Sequence, residues 1–308
     1  MKIIDTHCDA LLKLWEDRSR SFTNSSDIET NFERLSQGGV AAQLFAIFIE
    51  PELPSDEKYQ VALEQIDLFH TEVIGRHERM KKIENWSDFR LLNEDEIGAM
   101  LTLEGADAFG NDLNKLKNLY NLGVKSIGLT WNNANLVADG VGESRGAGLS
   151  DFGIEVVKLN NEHQVLTDVS HLSVKGFWDV MDLADYPIAT HSNSITLCGH
   201  RRNLSDDQAR AMFKKNGLVG IVFNPPFLTE TGTASIKDIV RHIEHFCALG
   251  GEKHICLGSD FDGIAQFVKD LEDASKYQLL INELLKYYTE EQVAGFAYNN
   301  FLNFIPKD

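Results

Sequence analysis

Apolar residues in this chain come in short runs that alternate with longer amphipathic stretches. Residues 40–49 (VAAQLFAIFI) are almost continuously apolar, the pattern of a strand covered on both faces. Similar runs begin near residues 2, 97, 124, 164, 187, 218 and 254. Between the runs the spacing changes to three and four. From Asp56 to about Ile83, the residues Tyr59, Leu63, Ile66, Phe69 and Val73 recur on one face and predict a helix. Further helices are predicted at 27–35, 113–122, 149–163, 174–183, 236–249 and 274–288. Ser205-x-x-Gln208 and Thr289-x-x-Gln292 are capping boxes that open two more. Strand–helix alternation implies parallel strands joined by right-handed crossovers. Eight such strands predict an α/β fold of the (β/α)8 TIM-barrel type, in which functional groups gather where strands end. No repeat, low-complexity tract or linker divides the chain, so residues 1–308 read as a single domain.

Composition narrows the partners. The chain has 308 residues, 43% apolar and 25% charged, an ordinary globular balance with ample material for a core. A net charge of −18 argues against nucleic acid and anionic membrane as partners. A local arginine can still serve an anionic substrate. No apolar run approaches the roughly 20 residues of a membrane span, and no secretory signal pattern opens the sequence. Cys8, Cys198, Cys247 and Cys256 form no C-x-x-C pair. Together these point to a cytoplasmic, reducing setting.

The chemistry lies at the predicted strand ends. His7 and Asp9 stand two apart, and in extended backbone such residues share a side. An imidazole and a carboxylate projecting together make half of a site that suits zinc. Strand ends are often polar, so the pair alone decides little. The recurrence decides more: Glu104 closes the third strand, His171 the fifth and His191 the sixth, and Asp260 follows the eighth. A barrel brings all of them to one mouth. Three histidines and two carboxylates suffice for two metal ions if one carboxylate bridges. Ions roughly 3.5–4 Å apart can trap a hydroxide between them. Asp260 is then left over as the proton carrier, with Asp262 the weaker candidate because it lies further into the loop. The loop holding Gly140, Gly142, Gly146 and Gly148 lacks a Gly-Lys-Ser/Thr sequence and is not a phosphate loop. It is expected to pack over the site or to move above it. His70 and His77 read as partly solvated helix residues.

Taken in order, these motifs resemble the membrane (renal) dipeptidase family, the M19 metallopeptidases of the amidohydrolase superfamily. The resemblance rests on D-T-H-C-D ending at Asp9, L-E-G at Glu104, V-S-H-L-S around His171 and T-H-S-N-S around His191. Arg201-Arg202-Asn203, Gly258-Ser-Asp-Phe-Asp-Gly263 and Glu272-Asp-Ala-Ser-Lys-Tyr277 add to it. It implies a zinc-dependent dipeptidase with two zinc ions per chain. His7 and Asp9 would hold one, His171 and His191 the other, and Glu104 would bridge them. A hydroxide between the ions would attack the peptide carbonyl while Asp260 moves the proton. Arg202 would grip the substrate's C-terminal carboxylate, a task that suits the guanidinium fork. The glutamate bridge fits a chain whose fourth strand ends in Thr130-Trp131 and offers no lysine.

Trp131 departs from the family pattern, standing where the best-known member has a histidine that polarises the scissile carbonyl. A bulkier, apolar pocket is expected there, favouring small C-terminal side chains such as alanine. Relatives accept a D-residue at that end, so L-Xaa-D-Ala dipeptides are the expected substrates, and a homodimer is the expected assembly. The lipid-anchor tail and secretory signal of mammalian members have no counterpart, which points to the soluble bacterial type. The nearest rival is another binuclear amidohydrolase activity, on N-acyl amino acids or lactams. A binding protein on the same scaffold would be expected to lack a ligand residue, and none is missing.

Overall fold

The computed structural model describes residues 1–307. Among them, eight parallel strands close into a ring: β1 (Ile3–Cys8), β2 (Val40–Phe48), β3 (Ile97–Glu104), β4 (Val124–Gly128), β5 (Leu166–Asp168), β6 (Pro187–Ala189), β7 (Leu218–Ile221) and β8 (Ile255–Leu257). The ring closes where β1 pairs with β8 through Asp5 and Leu257. The TIM-barrel expectation holds. Both faces of β2 and β3 are covered, and every residue of β3 is buried, which is why these strands read as apolar runs. No helix of the described residues is long and apolar enough to cross a membrane.

A ninth strand, Met80–Lys82, was not expected. It pairs with the first three residues of β3, below the point where β4 begins to pair with Leu101. The predicted 56–83 helix is correspondingly shorter. It spans Lys58–Leu68 and passes into wider turns over Phe69–Ile74, where the Gly75 amide donates to the His70 carbonyl at 2.9 Å. His77 is buried with its ring stacked on Phe32 at 4.2 Å, not solvated. The expected 27–35 helix lies instead at Phe32–Gly38, capped by Asn31. Both capping boxes form as predicted.

The barrel interior is divided by depth. Ile4, Leu44, Met100, Leu166, Ile188 and Leu218 fill its lower part, packed with Trp86, Phe89 and Phe301. Above them the lining turns polar. Thr6 donates to the Thr190 carbonyl at 2.7 Å. Gly220 and Gly258 make room for that carbonyl, since a Cβ on either would lie 2.0 or 1.8 Å from it. An apolar floor under a polar layer leaves the strand C-termini as the place for chemistry.

Candidate metal centre and active site

His7 lies near the end of β1, and Asp9 leaves that strand just before the helix Ala10–Glu16. The two meet as expected, with His7 Nε2 3.5 Å from Asp9 Oδ2. Glu104, the last residue of β3, turns its two oxygens to different partners. Oε2 lies 3.5 Å from His7 Nε2, whereas Oε1 lies 3.0 Å from His171 Nε2 and 3.7 Å from His191 Nε2. The Nε2 atoms of His171 and His191 are 2.9 Å apart. Asp260 Oδ1 comes within 3.9 Å of His7 Nε2. His171 and Asp260 have φ of 66° and 63°, a left-handed conformation uncommon outside glycine and often kept where function fixes a side chain.

Overlapping sets of these atoms (His7, Asp9 and Glu104; Glu104, His171 and His191; His7, His191 and Asp260) lie close enough to hold cations. The donor chemistry fits. His7 Nε2 and Asp9 Oδ1 are buried with no hydrogen-bond partner, an expensive condition unless a cation takes the lone pairs. His171 Nδ1 lies 2.9 Å from Asn132 Oδ1. A carbonyl oxygen only accepts, so the proton sits on Nδ1 and Nε2 faces Glu104 with a free lone pair. Asn132 was not foreseen. The Gly-rich loop helps hold it, with the Gly142 amide donating to the Asn132 carbonyl and that of Val141 to the His171 carbonyl, each at 2.7 Å. This loop is closely packed, since Asp139 also binds Arg145 and the Ala147 amide.

Electrostatics follow from burial. Burial opposes protonation of His7, but the Glu104 and Asp9 carboxylates outweigh it and raise its pKa well above 6.5. Glu104 is held well below the usual carboxyl range, as His7 and His171 overcome the cost of burying it. Burial pushes His171 down to about 4, with Arg202 reinforcing it. His191 also falls well below its ordinary value through burial, His7 and Arg202. Burial, then Asp9 and Glu104, raise Asp260 well above the carboxyl range against the pull of His7.

Over this cluster opens a cavity of about 600 Å³ whose lining includes Asp9, Glu104, Trp131, His171, Arg202 and Asp260. Arg202 is buried, lies over the Phe227 ring at 5.5 Å and donates Nη2 to the His191 carbonyl, leaving Nε without a partner. Arg201 is exposed. Trp131 meets Phe48 with ring centroids 5.5 Å apart and His171 at 6.0 Å. Asp262 does not join the cluster. Its carboxylate accepts the Glu29 amide at 2.7 Å, the Thr30 amide at 3.2 Å and the Thr30 hydroxyl, which makes it an anchor for the segment after β1.

The model of the membrane dipeptidase family (peptidase family M19) matches residues 1–307. An uncharacterized dipeptidase of Schizosaccharomyces pombe is 34% identical over 98% of this chain and 79% of its own length. Two solved structures superpose over 99% of the chain. A metallo peptidase from Rhodobacter sphaeroides, liganded with a phosphinate mimic of L-Ala-D-Ala, has 26% identity and a TM-score of 0.93 over 98% of its chain. A dipeptidase of peptidase family M19 has 28% identity and a TM-score of 0.92 over 97% of its chain. With that match running along the whole described chain, the protein belongs to peptidase family M19 and is a metallo-dipeptidase.

Proposed function

We propose that the enzyme is a zinc-dependent dipeptidase with two metal ions per chain that tolerates a D-residue at the substrate's C-terminus. The observation that carries the reading is the division of Glu104 between His7 on one side and the His171–His191 pair on the other. His7 and Asp9 would hold one ion, His171 and His191 the second, and Glu104 both. When bound, such ions polarise the scissile carbonyl and make water nucleophilic near neutral pH.

The remaining steps fall to the chain itself. Asp260 accepts the proton of the attacking water and returns it to the leaving amine; its raised pKa suits a proton carrier. Arg202 holds the C-terminal carboxylate, for which its buried and unpartnered Nε is a free donor. With the carboxylate and the reacting carbonyl both anchored, recognition depends little on handedness at the last residue. The L-Ala-D-Ala mimic bound by the Rhodobacter sphaeroides relative supports this. Around the eight-strand ring Phe48, at the end of β2, lies opposite β6, which Arg202 follows, whereas Trp131 follows β4, two strands from β6. Phe48 then faces the N-terminal side chain, while Trp131 bounds the cavity nearer Arg202, where small C-terminal side chains such as alanine are favoured. We place the enzyme in the cytoplasm, as a single domain over residues 1–308 and a homodimer; its free cysteines fit a reducing compartment.

Metal analysis with a dipeptide panel tests the reading. Purified protein should carry about two zinc ions per chain and cleave L-Leu-D-Ala as well as L-Leu-L-Ala, and Arg202→Lys should act mainly on KM. Asp260→Asn should lose about 10²- to 10⁴-fold in kcat with both metals retained. A strict L requirement would remove the stereochemical part. Preference for N-acyl amino acids or lactams would move the substrate class.

A further inference from the structure

Beneath the cluster, Thr190 and Asp168 make a hydrogen-bonded line that ends on His191. Thr190 Oγ1 lies 2.8 Å from His191 Nδ1 and 2.5 Å from Asp168 Oδ2. The other carboxylate oxygen, Asp168 Oδ1, accepts the Ser170 amide at 2.9 Å and the Thr190 amide at 3.0 Å. All three residues are buried. A threonine hydroxyl has one proton, and a carboxylate can only accept. Thr190 therefore gives its proton to Asp168 and must accept at His191, which places the imidazole proton on Nδ1. Nε2 is then free on the side facing Glu104. His7 Nδ1 and Ser170 Oγ, each 3.5 Å from the same hydroxyl, are longer neighbours than Asp168 and His191.

We infer that Asp168 and Thr190 are positioning residues that fix the tautomer and ring angle of His191, and that the direction of this line, not merely its presence, is what the metal half-site requires. The inference rests on the reading of His191 as a metal ligand. It has a consequence that packing alone would not produce. In Asp168→Asn the amide must keep its oxygen toward the two backbone N–H groups, since its NH2 cannot face two donors. The NH2 then points at Thr190 Oγ1 and reverses the line: Thr190 accepts from Asn and donates to His191 Nδ1. The proton moves to Nε2, where it blocks a cation. A nearly isosteric change thus becomes a damaging one, as with other carboxylates that set a histidine tautomer.

The test compares wild type, Asp168→Asn, Thr190→Val and Thr190→Ser, with folding confirmed by circular dichroism. Zinc affinity is measured by chelator competition, and the His191 tautomer by ¹⁵N NMR of the metal-free protein, assigned against His191→Gln. Asp168→Asn and Thr190→Val should each weaken one zinc site roughly 10- to 100-fold, while Thr190→Ser keeps wild-type affinity. In Asp168→Asn the His191 proton should move from Nδ1 to Nε2. Unchanged affinity and tautomer in Asp168→Asn would overturn the relay. Should that variant fail to fold, equal affinities for Thr190→Val and Thr190→Ser would do the same. Wild-type protein that takes up no zinc would instead sink the metal reading, and the tautomer measurement alone would then decide the relay.

Discussion

On the β1 side of Glu104, His7 stands among carboxylates that raise its pKa, and its Nε2 and Asp9 Oδ1 are without hydrogen bonds. On the β5–β6 side, His171 and His191 are pushed down by burial and by the cationic Arg202. Each is held from behind, by Asn132 or Thr190. One half of the centre is prepared by charge and the other by oriented hydrogen bonds. On the proposed reading the first half would attract a cation and must lose a proton to take it, whereas the second already presents neutral nitrogens. Glu104 couples two halves that would otherwise respond differently to pH and to mutation.

Removing the coupling should have the largest effect. Glu104→Gln is expected to release metal from both halves and to abolish turnover, a loss above the roughly 10- to 100-fold typical of residues that only hold a ligand in place. Metal content and kcat measured together check this, and a variant retaining one full half would show the halves to be independent. Asn132→Ala should fall within that 10- to 100-fold range, at one metal only, as read by chelator titration; equal weakening of both would erase the distinction.

The smallest effect sharpens the contrast through pH, in metal-free protein. The folded-state pKa of His171 lies at about 4, below its ordinary 6.5, so as pH falls through that window the unfolded chain takes the proton first and stability drops. His171→Gln should weaken this acid-sensitive slope, to which His191, also held below its ordinary value, contributes with the same sign. His7 has the opposite sign, because its folded-state pKa is raised: its contribution is present below 6.5 and is lost as pH rises through the folded value. His7→Gln should flatten that loss. Denaturant midpoints across the window measure both, and slopes of one sign would refute the assignment.

The barrel and the ligand-type residues were legible because strand runs and strand-end residues are local features of sequence. What escaped was non-local or depended on a backbone turn. Asn132 meets His171 across 39 positions and Asp168 meets Thr190 across 22; asparagine, threonine and aspartate are too common near strand ends to be singled out. The strand Met80–Lys82 is too short to show an alternation of its own and was absorbed into the preceding helical pattern. Asp262 was weighed beside Asp260 as a second carboxylate of the same loop, but two residues on it would share a side with Asp260 only in extended backbone. With φ of 63° at Asp260 and 71° at Asp262 the premise fails, and Asp262 anchors Thr30 instead.

The pairing of β1 with β8 bears on the order in which the protein is made. His7 and Asp9 leave the ribosome first, yet the neighbours that complete their surroundings, Asp260 among them, come after β8. During synthesis His7 and Asp9 are therefore an isolated pair in an open sheet until the later strands arrive. The surroundings of this early pair are complete only when the ring shuts, so the β1 side of the site is assembled from the two ends of the chain.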